Sequence, residues 1–139
     1  MTPQPRGRTE PCSAPQARNR MQHARKFLDV AELVSSEGDD REYASAAAAL
    51  CVLAGVAASD AACCKALGRR SRGQDHRQAV DLIGQIEPGG KEAGNKLRRL
   101  LNLKDDAQYG LFDVGGSDLR TALRQAAALV KFADDVLLR

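Results

Sequence analysis

Nine residues, Gly68 to His76, read GRRSRGQDH and hold three arginines and one of the chain's two histidines. Between Lys65 and Arg77 there are five basic residues (Lys65, Arg69, Arg70, Arg72, Arg77) against one acidic residue, Asp75, a net of +4. Histidine exchanges a proton near neutral pH. Arginine stays charged and offers a planar, two-pronged donor edge to phosphate. Together they suit cleavage of RNA without metal. His76 would assist the 2′-hydroxyl or protonate the leaving 5′-oxygen, and an arginine would hold the charge that builds at phosphorus. The nucleophile belongs to the substrate, so orientation is most of what the protein must supply. The same charges also suit an ordinary solvated turn in which Asp75 and His76 open a helix.

Asp60 is a lone carboxylate in an apolar field, and burial demands a partner for it. An arginine of the turn or Lys104 could supply one, which makes Asp60 an ion pair that orients the turn. Lys104 and Tyr109, in LKDDAQYG, are five residues apart, about 140° around a helix. One or both could stand beside the turn; otherwise they are a surface lysine and a tyrosine with a packed ring. His23 is expected to be exposed and inert.

The elements that position these residues follow from composition and periodicity. Apolar residues are 43% of the 139 and aromatics only 4%. Alanine and leucine, strong helix formers, dominate, and β-branched residues are few. The expected class is all-α: four long helices and one short helix, joined by short connections. Helix one is expected from Ala24, with Ala24, Phe27, Leu28, Ala31 and Val34 at helical spacing. SEGDD ends it, and Asp39 or Asp40 caps helix two, with Glu42 in its first turn. Helix two spans Arg41 to Leu67 and is apolar nearly all round, the mark of a central helix. Gly55 inside it suggests a close approach of a neighbour. Gly68 stops it. Helix three runs Asp75 to Ile86 and helix four Lys91 to Tyr109. Leu111, Phe112 and Val114 fold back onto the bundle. Ser117 caps helix five, which runs to Leu137 with Leu119, Leu123, Ala126, Val130, Ala133 and Leu137 inward.

Residues 1–20 contain four prolines and few large apolar residues, so they are expected to be a disordered tail ahead of a domain at 21–139. Met21 is then a candidate physiological start. Four arginines against Glu10 in that tail account for the whole net charge of +3, leaving 17 basic and 17 acidic residues elsewhere. Global charge therefore gives the folded part no case for nucleic acid; only the local cluster does. Cys12, Cys51, Cys63 and Cys64 form no C-x-x-C pair and meet no histidine at zinc-finger spacing. They read as reduced, small apolar residues of a cytoplasmic protein, with no metal or other cofactor. No run of about 18 apolar residues is apparent and the N-terminus has no signal-like core, so neither a membrane span nor secretion is expected.

An alanine-rich helix with Asp60, then LGRRSRGQDH, then LLNLKDDAQYG and a final amphipathic helix resembles the HEPN superfamily of small helical-bundle proteins, over about residues 22–138. Its signature is an arginine, then usually a polar residue, then a histidine after four to six intervening positions. Arg70, Ser71 and His76 fit, with Ser71 where the family more often has Asn, Asp or His; Arg69 and His76 fit as well. The resemblance implies a metal-independent endoribonuclease or RNA-binding protein of a toxin-antitoxin or defence type, often a homodimer, sometimes with a nucleotidyltransferase antitoxin. On it, Arg70 and His76 are catalytic. Arg69, Arg72 and Lys104 bind phosphate or RNA, and Asp60, Ser71, Asp75 and Tyr109 support the site. Other members are inactive modules, so the alternative is a protein that docks an acidic partner or a nucleotide. A third possibility is a purely structural helical dimer with a charged rim.

Overall fold

The computed structural model describes residues 9–36, 41–72, 76–109 and 114–139, with backbone alone at 41–42 and 105–109. The chain is mostly helical, as its composition predicts. In order come β1 (Thr9–Pro11), α1 (Ala14–Ser35), α2 (Arg41–Leu67), β2 (Arg69–Ser71), α3 (His76–Ile83), α4 (Gly90–Tyr109) and α5 (Gly116–Leu137). The expected caps at Asp39 and Asp40, the side chain of Glu42, and Leu111 and Phe112 lie outside the described residues.

Helix α2 is the central element. Ala47, Ala48, Cys51, Val52, Ala54, Ala57, Ala58, Ala61, Ala62 and Cys63 are all buried. Helices α1, α4 and α5 all pack against it. Its small side chains let the neighbours come close. A Cβ built on Gly55 would lie 2.5 Å from Leu100 Cδ1 of α4 and 3.2 Å from Leu129 Cδ1 of α5. Gly68 ends α2 at φ +72°, and its N–H donates to the Cys64 carbonyl at 3.1 Å, the left-handed cap its position predicts. Tyr43–Leu67 is long and apolar enough to cross a membrane, contrary to the sequence reading, but 78% of its most apolar window is buried within the chain.

The expected tail is corrected by the fold. Residues 9–11 form β1, antiparallel to β2, with Thr9 opposite Ser71, Glu10 opposite Arg70 and Pro11 opposite Arg69. Helix α1 begins ten residues before Ala24, so the expected boundary at residue 20 falls inside it. Ser13 is its N-cap: the Gln16 N–H donates to Ser13 Oγ at 3.3 Å, and the Ser13 N–H donates to Gln16 Oε1 at 2.8 Å. Ala17 and Met21 extend the stripe of Ala24 and Ala31 backwards, and all four are buried. Met21 is 1% exposed, so it is a core residue in mid-helix.

The reduced state expected of the cysteines is corrected too. Cys12 and Cys64 form a disulfide, with Cα atoms 5.4 Å apart, inside the usual range. Adjacent residues on a helix point about 100° apart. Cys63 therefore faces the core as a free thiol, like Cys51, while Cys64 faces the segment that carries Cys12. Burial pushes both free thiols up to about 12.

Smaller differences concern helix ends. Helix α3 ends at Ile83, where the chain turns with the Gly84 N–H on the Val80 carbonyl at 3.1 Å. The N-cap of α5 is Gly115, without a side-chain bond, so Ser117 lies within the helix while Asp118 keeps its place in the first turn. The inward face of α5 is Ala122, Gln125, Ala126, Leu129, Val130, Ala133 and Val136. Leu119, Leu123 and Leu137 lie only half-buried at its edges.

Two outcomes follow. Reducing the 52-residue crosslink lowers stability by about 2–4 kcal/mol in urea titrations, on the loop-entropy account. Gly55→Leu destabilises by about 1–3 kcal/mol through overpacking against Leu100 and Leu129, measured the same way.

Candidate functional site

The corner after α2 draws its side chains from β1, β2 and all of α1 to α4. Arg70 of β2 and Arg72, just beyond its end, turn to the same side. Glu10 of β1 lies across from Arg70, and its carboxylate spans both arginines. Oε1 is 2.5 Å from Arg70 Nη2 and Oε2 is 3.7 Å from Arg72 Nε. Arg69 is exposed, and its guanidinium makes no ion pair among the described residues.

Asp60 lies one turn of α2 before Cys64 and is buried, at 6% exposure. Its Oδ2 accepts from Arg20 Nε at 3.1 Å and Nη2 at 2.9 Å, and from Arg70 Nη1 at 3.4 Å. The structure thus brings Asp60 to an arginine of the turn and adds Arg20, which sequence reasoning missed by assigning it to a disordered tail. Two signals could have found it: the S-x-x-Q capping box at Ser13, and the helical spacing of Ala17, Met21 and Ala24. Burial pushes the Asp60 carboxyl above the ordinary 3.8, against the opposing pull of Arg20 and then Arg70.

His76 is the first residue of α3. Its Nε2 lies 3.4 Å from Lys104 Nζ of α4, a contact across 28 residues. An ammonium only donates, so a hydrogen bond here requires Nε2 of the imidazole to accept. Ser71 contributes a buried hydroxyl that has no hydrogen-bond partner among the described residues. Asp75 and the Tyr109 side chain lie outside the described residues. His23 is exposed, as expected, with Nδ1 3.4 Å from Arg20 Nη1.

The arrangement is a cationic corner in which one arginine is held from two sides and a histidine meets a lysine. Among the described residues, no three His, Cys, Asp or Glu side chains gather as metal ligands. A cleft of about 560 Å³ lies elsewhere, between α1 and the C-terminal end of α5, lined in part by Arg18, Met21, Arg25 and Asp134. It contains none of the site residues read from the sequence. No protein-family model matches the chain, and no curated protein matches it.

The raised Asp60 carboxyl has a definite sign. The native state holds its proton more tightly than the unfolded chain, so its contribution is greatest below 3.8 and is lost as pH rises through the higher native value. Stability of the wild-type protein relative to Asp60→Asn is therefore expected to fall with rising pH across that window and then level off. Urea titrations of both proteins from pH 3 upward check this; a relative stability that climbs with pH would mean that the two guanidiniums outweigh burial.

Proposed function

We propose that the protein is a HEPN-like, metal-independent endoribonuclease, or an RNA-binding relative of one, centred on Arg70 and His76. The contact between His76 and Lys104 carries the reading. It joins the turn's only histidine to a lysine of another helix, an arrangement that a merely solvated turn does not require. His76 exchanges the proton of the 2′-hydroxyl or of the leaving 5′-oxygen. Attack of the 2′-oxygen on phosphorus forms a cyclic phosphate as the bond to the 5′-oxygen breaks. Lys104 and the arginines neutralise the phosphate. Asp60 holds one edge of Arg70, so the guanidinium is positioned before substrate arrives.

The rest of the reading belongs to the same proposal. The fold is a HEPN-like bundle of four long helices and one short. The protein is cytoplasmic and works as a homodimer on RNA, in a toxin-antitoxin or defence setting, with an antitoxin such as a nucleotidyltransferase as a further partner. A second reading is favoured by one observation: Arg70 is held by two carboxylates, Glu10 and Asp60. An inactive module that binds an acidic partner or a nucleotide through the outer arginines has no need of a free Arg70.

Incubation with structured RNA in EDTA, with and without dithiothreitol, separates the two. Cleavage is expected to persist in EDTA, to fall by about 10²-fold or more in His76→Ala, and to fall in Arg70→Ala and Lys104→Met. Absence of cleavage under both conditions, or equal cleavage by all variants, sinks the ribonuclease.

A further inference from the structure

We propose that β1 is a disulfide-latched strap whose Glu10 occupies the anion site of Arg70 and Arg72, so that reduction of Cys12–Cys64 opens that site to phosphate. The inference rests on the reading of these arginines as phosphate ligands and adds their regulation.

Three observations lead to it. First, Glu10 sits as an anion would. One oxygen is 2.5 Å from Arg70 Nη2 and the other is on the Arg72 side, 3.7 Å from Nε. Arg70 gives its Nη1 to Asp60, so the edge carrying Nη2 is the one left for a ligand, and Glu10 covers it. A phosphate oxygen would compete for the same donors. Second, little besides the disulfide holds the strap. β1 pairs over three residues, and the Cys12 N–H donates to the Gly68 carbonyl at 3.0 Å. A two-stranded ribbon of this size is marginal by itself. The ion pairs of Glu10 are partly solvated, with Arg72 61% exposed, and such pairs hold weakly. Third, the hinge is already built. Ser13 caps α1 immediately after Cys12, and Ala17 and Met21 bury the helix independently of β1. The strap can leave while α1 stays.

The redox step is a thiol–disulfide exchange with a dithiol reductant. Its first thiolate attacks the Cys12–Cys64 bond from the side of Cys12, which is only half-buried where Cys64 is buried. The S–S bond breaks, a mixed disulfide forms, and the reductant's second thiol resolves it. Two electrons and two protons pass to the sulfurs of Cys12 and Cys64, and the reductant leaves as a disulfide. Glu10 then loses its tether, and Arg70 and Arg72 face solvent. Oxidation by the disulfide form of the same reagent reverses each step.

Labelling of the full chain with an arginine-selective dicarbonyl, read by peptide mass spectrometry, tests the strap without reference to catalysis. Modification of Arg70 and Arg72 is expected to rise several-fold on reduction. It should rise as much in oxidised Glu10→Gln, which keeps the disulfide and the fold. Inorganic pyrophosphate should suppress the rise in both. Equal labelling of oxidised and reduced protein overturns the proposal, as does alkylation of the buried free thiols Cys51 and Cys63 in the reduced protein, which would report general unfolding. A labelled oligoribonucleotide in the same samples reads the underlying function. No cleavage in any state, with labelling gated and pyrophosphate protective, removes the ribonuclease and supports the strap. Equal cleavage in both redox states removes the strap and leaves the ribonuclease.

Discussion

The corner of this protein depends on one buried carboxylate. Asp60 projects from a buried stretch of helix made mostly of alanine and cysteine, where an unpaired charge is costly. It is satisfied from two directions, by Arg20 of α1 and Arg70 of β2. The same oxygen therefore ties the first helix to the strand that follows α2. Both arginines stay about one-third exposed, so they reach the carboxylate while keeping part of their hydration. Burial still dominates the proton affinity of Asp60. The ion pairs fix which edge of Arg70 faces inward.

Everything outward of Asp60 is arranged in sequence from that choice. With Nη1 taken, Arg70 presents Nη2 to the surface, where β1 delivers Glu10. The delivery needs the register of Glu10 against Arg70, and the register needs Cys12 beside the last turn of α2. Gly68 supplies the sharp exit that turns β2 back along the helix end, and its carbonyl receives the Cys12 N–H. A left-handed residue there is tolerable only because glycine has no Cβ.

Much of the helical framework was legible because the apolar pattern dictates it. Helix α2 is apolar all round, and its observed span matches the expected one, because a helix packed by three others has no polar face to mislead the reading. The close approach at Gly55 was legible for the same reason. The N-terminal half of α1 was not, since Pro15 and the arginines weigh towards disorder while the buried face there is mostly alanine, which signals little by hydropathy. Proline in a first helical turn is in fact favourable. That one misjudgement hid Arg20, Glu10 and the partner of Cys64 together. The pairing of His76 with Lys104 was legible only as a possibility, because it depends on how α3 and α4 pack, and no local spacing encodes that.

Arg70 cannot serve Glu10 and a phosphodiester through the same donors. This competition links the two readings of the site. If the carboxylate of Glu10 were permanent, the outer edge of Arg70 would be closed and the corner would be a structural ion cluster with Arg69 and Arg72 at its rim. A catalytic or phosphate-binding role therefore needs the anion on Arg70 to be exchangeable, and a strap that leaves is one way to make it so. The strap here is three residues of strand closed by one covalent bond, just ahead of the capped start of α1. The bond is the one disulfide among the described residues; it joins β1 to Cys64 at the end of α2, while the core-facing Cys63 stays free. Placing the crosslink on the strap concentrates the effect of thiol chemistry on access to Arg70 and Arg72, while the core that positions Asp60 is left as it is.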